Sequence, residues 1–89
     1  MPQATTTVSN KLGLHARASA KLTKLAGSFP CDVSIRKGER EVNCKSIMGV
    51  MMLAAGLGSE VTLSASGERE HEAMDALLGL IHDKFGEGE

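Results

Sequence analysis

Apolar and polar positions along this chain change period several times, and each change marks an element. Ala4, Thr6 and Val8 alternate with Thr5 and Thr7, which predicts a first strand with one buried face. From Ala16 the spacing becomes helical: Ala18, Leu22, Leu25, Ala26 and Phe29 fall on one face, and Gly27 is placed to terminate it. Cys31, Val33 and Ile35 alternate with Asp32, Ser34 and Arg36, and a turn at Lys37-Gly38-Glu39 leads back through Val42 and Cys44, which predicts an antiparallel hairpin. A short apolar helix starts at about Ile47. A fourth strand follows, with Val61, Leu63 and Ala65 inside, Glu60, Thr62, Ser64 and Ser66 outside, and Gly67 as its end. Met74, Leu77, Leu78, Ile81 and Phe85 then make one helical stripe opposite Glu72, Asp75, His82 and Asp83. Lys84 suits the negative end of that helix, Gly86 stops it, and the Glu-Gly-Glu tail is expected to fray.

The order βαββαβα, with strands polar on one side, predicts an α+β fold: an open-faced β-sandwich whose four-stranded antiparallel sheet carries three helices packed on one face. At 89 residues the chain is expected to be a single domain, 1–89, without repeat or linker. Its core must be aliphatic, because Phe29 and Phe85 are the only aromatic residues. A net charge of -1 and the absence of Trp and Tyr argue against a nucleic-acid binder. The first residues lack the basic and apolar parts of a signal peptide. The longest apolar run, Ile47 to Ala55, is far short of the roughly 20 residues a membrane span needs, so a cytoplasmic protein with no membrane insertion is expected. Cys31 and Cys44 make no C-x-x-C and have no histidine at ligand spacing. They read as small buried hydrophobes, with no metal and no cofactor implied.

The densest chemistry lies at Gly13-Leu14-His15-Ala16-Arg17. A histidine at a loop-to-helix junction can hold its ring over the free N–H groups of the first helical turn, where anions are favoured. Neutral imidazole is a competent nucleophile, and an arginine two residues on supplies a rigid fork of donors for phosphate oxygens. Gly13 either takes a positive φ, or lets the backbone approach a phosphate, or is an ordinary turn glycine. Arg17, Lys21 and Lys24, with Ala20 beside them, recur along the helix that starts there. That stripe is either a solvated face or a docking surface for acidic partners. His71 and His82 are too far apart for an i, i+4 metal pair and read as surface residues.

Asn10-Lys11-Leu12-Gly13-Leu14-His15-Ala16-Arg17, together with Asn43-Cys44-Lys45-Ser46-Ile47-Met48-Gly49-Val50-Met51, resembles the histidine-containing phosphocarrier (HPr) family of the phosphoenolpyruvate-dependent sugar phosphotransferase system. The resemblance runs from about Thr5 to Phe85. It implies the same open-faced sandwich, a phosphoryl group carried on Nδ1 of His15, and Arg17 as the group that neutralises it. It implies enzyme I as donor and the IIA components of sugar permeases as acceptors. Ile47, Met48 and Met51 would form an adaptable apolar docking patch, while Val50 and Leu53 belong to the core. Ser46 is placed as a helix N-cap. In one branch of the family the matching serine is phosphorylated by an HPr kinase/phosphorylase. The chain departs from the common pattern at Ala18, where many relatives carry proline, which bears on the rigidity of the first turn. A carrier of the nitrogen-related branch fits the same motif. Two other classes stay open: a small histidine-dependent phosphatase or acyl-transfer enzyme, and a non-catalytic allosteric interaction module. A monomer suits a diffusing shuttle.

Overall fold

A computed structural model describes residues 2–86, so the expected fraying at 87–89 lies outside the described residues. The elements are β1 (Gln3–Thr7), α1 (Ala16–Gly27), β2 (Asp32–Lys37), β3 (Arg40–Asn43), α2 (Ile47–Met52), β4 (Glu60–Ser66) and α3 (Glu70–His82), followed by a short turn at Lys84–Gly86. This is the order expected from the hydrophobic pattern.

The strands form one antiparallel sheet in the order β1-β4-β2-β3. Thr5 faces Thr62 across β1 and β4, and Val33 faces Ala65 across β2 and β4. β2 and β3 make the hairpin, joined by Gly38-Glu39 with Gly38 at φ +62. Because side chains alternate along a strand, Val33, Ile35, Val61, Leu63 and Ala65 all point to the helical side. There they meet Leu22, Ala26, Val50, Leu77 and Ile81 in one core. Full burial of a side chain such as Leu22, Ile35 or Leu63 contributes about 1.5–3 kcal/mol relative to exposure, and these aliphatic contacts hold the two layers together.

Three expectations need correction. Gly27 does not terminate α1 by a left-handed turn; it is the last helical residue, and Ser28 caps the end, its Oγ donating to the Leu25 carbonyl at 2.6 Å. Leu25 and Leu78 are only half-buried, because each lies at the margin of its helix's inner face. The largest difference is at the C-terminal end. α3 stops at His82, and Lys84 and Phe85 take φ of 54° and 57°, so Lys84 is not part of the helix and cannot complement its end. Phe85 is buried all the same. The left-handed turn folds its ring back onto the core that a straight helix would have carried it past.

Candidate functional site

His15 is the N-cap of α1, with extended backbone (φ -75°, ψ -178°). Its ring Nδ1 accepts the backbone N–H of Arg17 at 3.2 Å, which uses one of the donors that every helix start leaves open. A ring that accepts at Nδ1 carries its proton, when neutral, on Nε2. His15 is half-exposed and Arg17 exposed, so both can meet a partner.

The loop before His15 is clamped. Gly13 has φ +66, and a Cβ on it would lie 2.5 Å from both the Ala55 carbonyl oxygen and the Gly56 Cα. The glycine is therefore required twice over, by its conformation and by the approach of the 55–56 backbone. The close approach observed here is to its own chain. The Leu14 N–H donates to the Ala55 carbonyl at 2.8 Å, so the segment after α2 braces the segment before His15. Asn10 Nδ2 donates to the Gly13 carbonyl at 2.8 Å, and Ser19 Oγ donates to the Leu14 carbonyl at 3.0 Å. Asn10 opens the motif that carries the resemblance but has no role evident from sequence, and Ser19 does not stand out there at all. The available signal was a polar residue on the inner face of α1, next to Ala18.

Arg17, Ala20, Lys21 and Lys24 are all exposed on α1. Lys21 differs from its neighbours: its Nζ donates to the Phe85 carbonyl at 2.6 Å, pinning the C-terminal turn to α1. Ser46 caps α2, its Oγ accepting the Gly49 N–H at 3.2 Å, and it is exposed. In α2 the faces divide as expected. Val50 and Leu53 are buried, whereas Ile47 (40%), Met48 (65%) and Met51 (39%) remain exposed. Met52, Leu12 and Leu57 are exposed as well, in addition to the residues expected.

Other candidates fall away from His15. His71 and His82 are exposed, and His82 Nε2 lies 3.2 Å from Thr6 Oγ1. Cys31 and Cys44 are both buried free thiols, and burial pushes the Cys44 thiol up to about 12. Among the described residues no group of His, Cys, Asp or Glu could hold a metal ion, and no helix is long and apolar enough to cross a membrane. Two open concavities, of about 420 and 340 Å³, lie on the uncovered sheet face around Ser34 and Ser64 and between α1 and α3 beside Lys24 and Leu80. His15 lines neither, so the chemistry available to it is that of a ring presented at the surface.

Residues 2–83 match the model of the family described as PTS HPr component phosphorylation site. The chain is 65% identical over 89 residues to the phosphocarrier protein HPr of Cupriavidus necator, covering all of both chains. It is 42% identical over 81 residues to the phosphocarrier protein NPr of Shewanella violacea, covering 91% of this chain and 89% of that one. Among solved structures, HPr-C-His from Thermoanaerobacter tengcongensis superposes with a TM-score of 0.95 at 45% identity, covering 98% of each chain. An HPr dimer from the same organism matches at a TM-score of 0.79 with 45% identity, covering 98% of this chain and 100% of that one.

Proposed function

Since the chain belongs to the HPr family of phosphocarrier proteins, we propose that His15 accepts a phosphoryl group from phosphorylated enzyme I and passes it to IIA components of sugar permeases. The observation that carries this reading is the N-cap position of His15, with Nδ1 facing the Arg17 N–H at 3.2 Å. On transfer, the P–N bond to the donor breaks and a P–N bond to Nδ1 forms. The Arg17 N–H, released from the ring, then has a phosphoryl oxygen to donate to, so the helix start exchanges one cap for another. The Arg17 guanidinium, two residues away and exposed, is the group to neutralise the added charge. Neither partner needs a metal or cofactor from this chain. In this reading the protein is a carrier and not a catalyst; it works as a cytoplasmic monomer.

Docking is assigned to the exposed α1 face, Ala20, Lys21 and Lys24, and to the apolar patch Ile47, Met48 and Met51. Ser46 is further proposed as a regulatory site for an HPr kinase/phosphorylase. A phosphate there adds about two negative charges at the N-terminus of α2, which the helix end tolerates but the adjoining apolar patch does not. The likeness to an NPr protein keeps a second reading alive, in which the acceptor is the IIA protein of the nitrogen-related branch.

The test is intact mass after incubation with phosphoenolpyruvate and enzyme I, before and after brief acid treatment, with His15→Ala alongside. One acid-labile phosphate, absent from the variant, is expected. No phosphate on the folded wild type would overturn the reading and favour an interaction module, and phosphate released to water without an acceptor would favour an enzyme. Transfer to a sugar IIA rather than to the nitrogen-related one decides the branch.

A further inference from the structure

Among the described residues two polar side chains are buried, Asn10 and Ser19, both with no exposed surface, and both are spent on the backbone that leads into His15. Ser19 does more than Asn10. Its Oγ donates to the Leu14 carbonyl at 3.0 Å, and its backbone N–H donates to the His15 carbonyl at 2.8 Å. Those carbonyls belong to the two peptide groups on either side of the His15 Cα. One residue therefore grips both planes from which the imidazole hangs.

The two bonds have different status. The second is the ordinary i to i+4 bond of a helix and would form with any residue at this position. The first reaches back one residue further, to a carbonyl outside the helix, and depends on the hydroxyl. Alanine would fill the same buried space with better helix propensity and no polar group to desolvate, so a serine here is not explained by packing or by helix formation. Upstream, Asn10 Nδ2 on the Gly13 carbonyl and the Ala55 carbonyl on the Leu14 N–H fix the next peptide plane. Ala18 adds no constraint of its own on φ. Removing the Ser19 hydroxyl takes away the restraint on the Leu14 carbonyl, and so loosens the Leu14–His15 peptide and the direction of Nδ1.

We infer that Ser19 is a positioning residue for phosphoryl transfer, acting through the Leu14 carbonyl to hold the His15 ring in its helix-capping orientation. This rests on the carrier reading above. In-line transfer between two rings requires the accepting nitrogen to be aimed within a narrow range, and the loss of that aim appears in the rate of the transfer step more than in the encounter.

The experiment compares wild type with Ser19→Ala, Ser19→Thr and Ile35→Val under conditions in which each is fully folded. Ile35→Val removes a buried methylene from the sheet and serves as a destabilised control that leaves the loop intact. Phosphoryl transfer from enzyme I is followed by rapid quench, and the His15 ring ¹⁵N shifts are read in the neutral form. For Ser19→Ala the maximal transfer rate is expected to fall by roughly three- to tenfold, the equivalent of one hydrogen bond, with KM for the carrier unchanged. Its ring shifts should move toward those of freely averaging tautomers. Ser19→Thr, which keeps the hydroxyl but adds a methyl at a buried position, should lose stability through overpacking yet, while folded, stay within about twofold of the wild-type rate, and Ile35→Val should keep both wild-type readings. Wild-type rate and shifts in Ser19→Ala would overturn the inference, as would an equal loss in Ile35→Val or in Ser19→Thr. A wild type that takes no phosphate would instead sink the carrier reading, and the ring shifts would still report whether Ser19 orients His15.

Discussion

Replacing Gly13 by alanine, with Gly38→Ala as its partner, separates two costs that are usually confounded. Gly13 and Gly38 have nearly the same backbone, at φ +66 and +62, but a Cβ on Gly38 meets nothing within 4 Å. Forcing an alanine into the left-handed region costs about 1–2 kcal/mol, partly offset by the 0.4–1 kcal/mol that a less flexible unfolded chain returns. Gly38→Ala should therefore destabilise by about 0.5–1 kcal/mol on those two terms. At Gly13 the new carbon sits 2.5 Å from the Ala55 oxygen and from the Gly56 Cα, both backbone atoms that cannot rotate aside. One strand of the loop has to retreat by about an ångström, with an overpacking cost of about 1–3 kcal/mol. The 2.8 Å bond from the Leu14 N–H to the Ala55 carbonyl lies across the same gap and weakens with it. The sum for Gly13→Ala is about 2–4 kcal/mol, or a fall in Tm of about 10–30 °C for a domain of this size, against about 2–8 °C for Gly38→Ala. Far-ultraviolet circular dichroism in urea is the assay, because the chain has no Trp or Tyr to report by fluorescence. If the two variants lose the same stability to within about 0.5 kcal/mol, the contact with residues 55 and 56 is not what requires the glycine.

Met48→Glu, at a residue 65% exposed, should lower transfer from enzyme I by about tenfold while unfolding stays within about 0.5 kcal/mol of wild type; a matching loss of stability would refute the docking role. Lys21→Met should cost about 0.5–1.5 kcal/mol through the lost bond to the Phe85 carbonyl, whereas Lys24→Met should leave stability unchanged; equal effects in thermal melts would mean the pin carries no weight. Burial raises the Cys44 thiol from 9.0 to about 12, so the unfolded chain ionises first as pH rises. Its stabilising effect is whole below about pH 9 and is lost between about 9 and 12, at about 1.4 kcal/mol per pH unit. The difference between wild type and Cys44→Ala in alkaline urea melts should follow that slope, and a flat difference would contradict it.

Period alone carried the element order, because each strand of this sheet has one wet face and each helix one dry stripe. It failed where a single residue leaves its basin. Phe85 keeps the spacing of the α3 stripe, yet the chain turns left-handed at Lys84, and nothing in an alternation of apolar and polar types registers that turn. The site divided in the same way. His15 and Arg17 stood out as candidates because of the motif around them, and the Ser46 cap was legible because capping is local. Ser19 was not, since a serine beside two alanines reads as helix filler until the Leu14 carbonyl is seen above it. The split role of Lys21 was hidden for a related reason. Its partner is a main-chain oxygen 64 positions away, and a carbonyl has no sequence signature.

The position of β4 between β1 and β2 sets when the loop around His15 can be completed during synthesis. β1 leaves the ribosome early, but its only partner strand among the described residues begins at Glu60, and the loop around His15 leans on Ala55. Until that later stretch has emerged, the segment before the histidine lacks its brace at Ala55, and the long-range pairing that completes the sheet is the slow kind of contact. A nascent chain truncated before β4 therefore presents the imidazole without the Ala55 brace that the finished fold gives its loop. The full bracing of the His15 loop arrives late, as a property of the finished sheet rather than of the motif that contains the histidine.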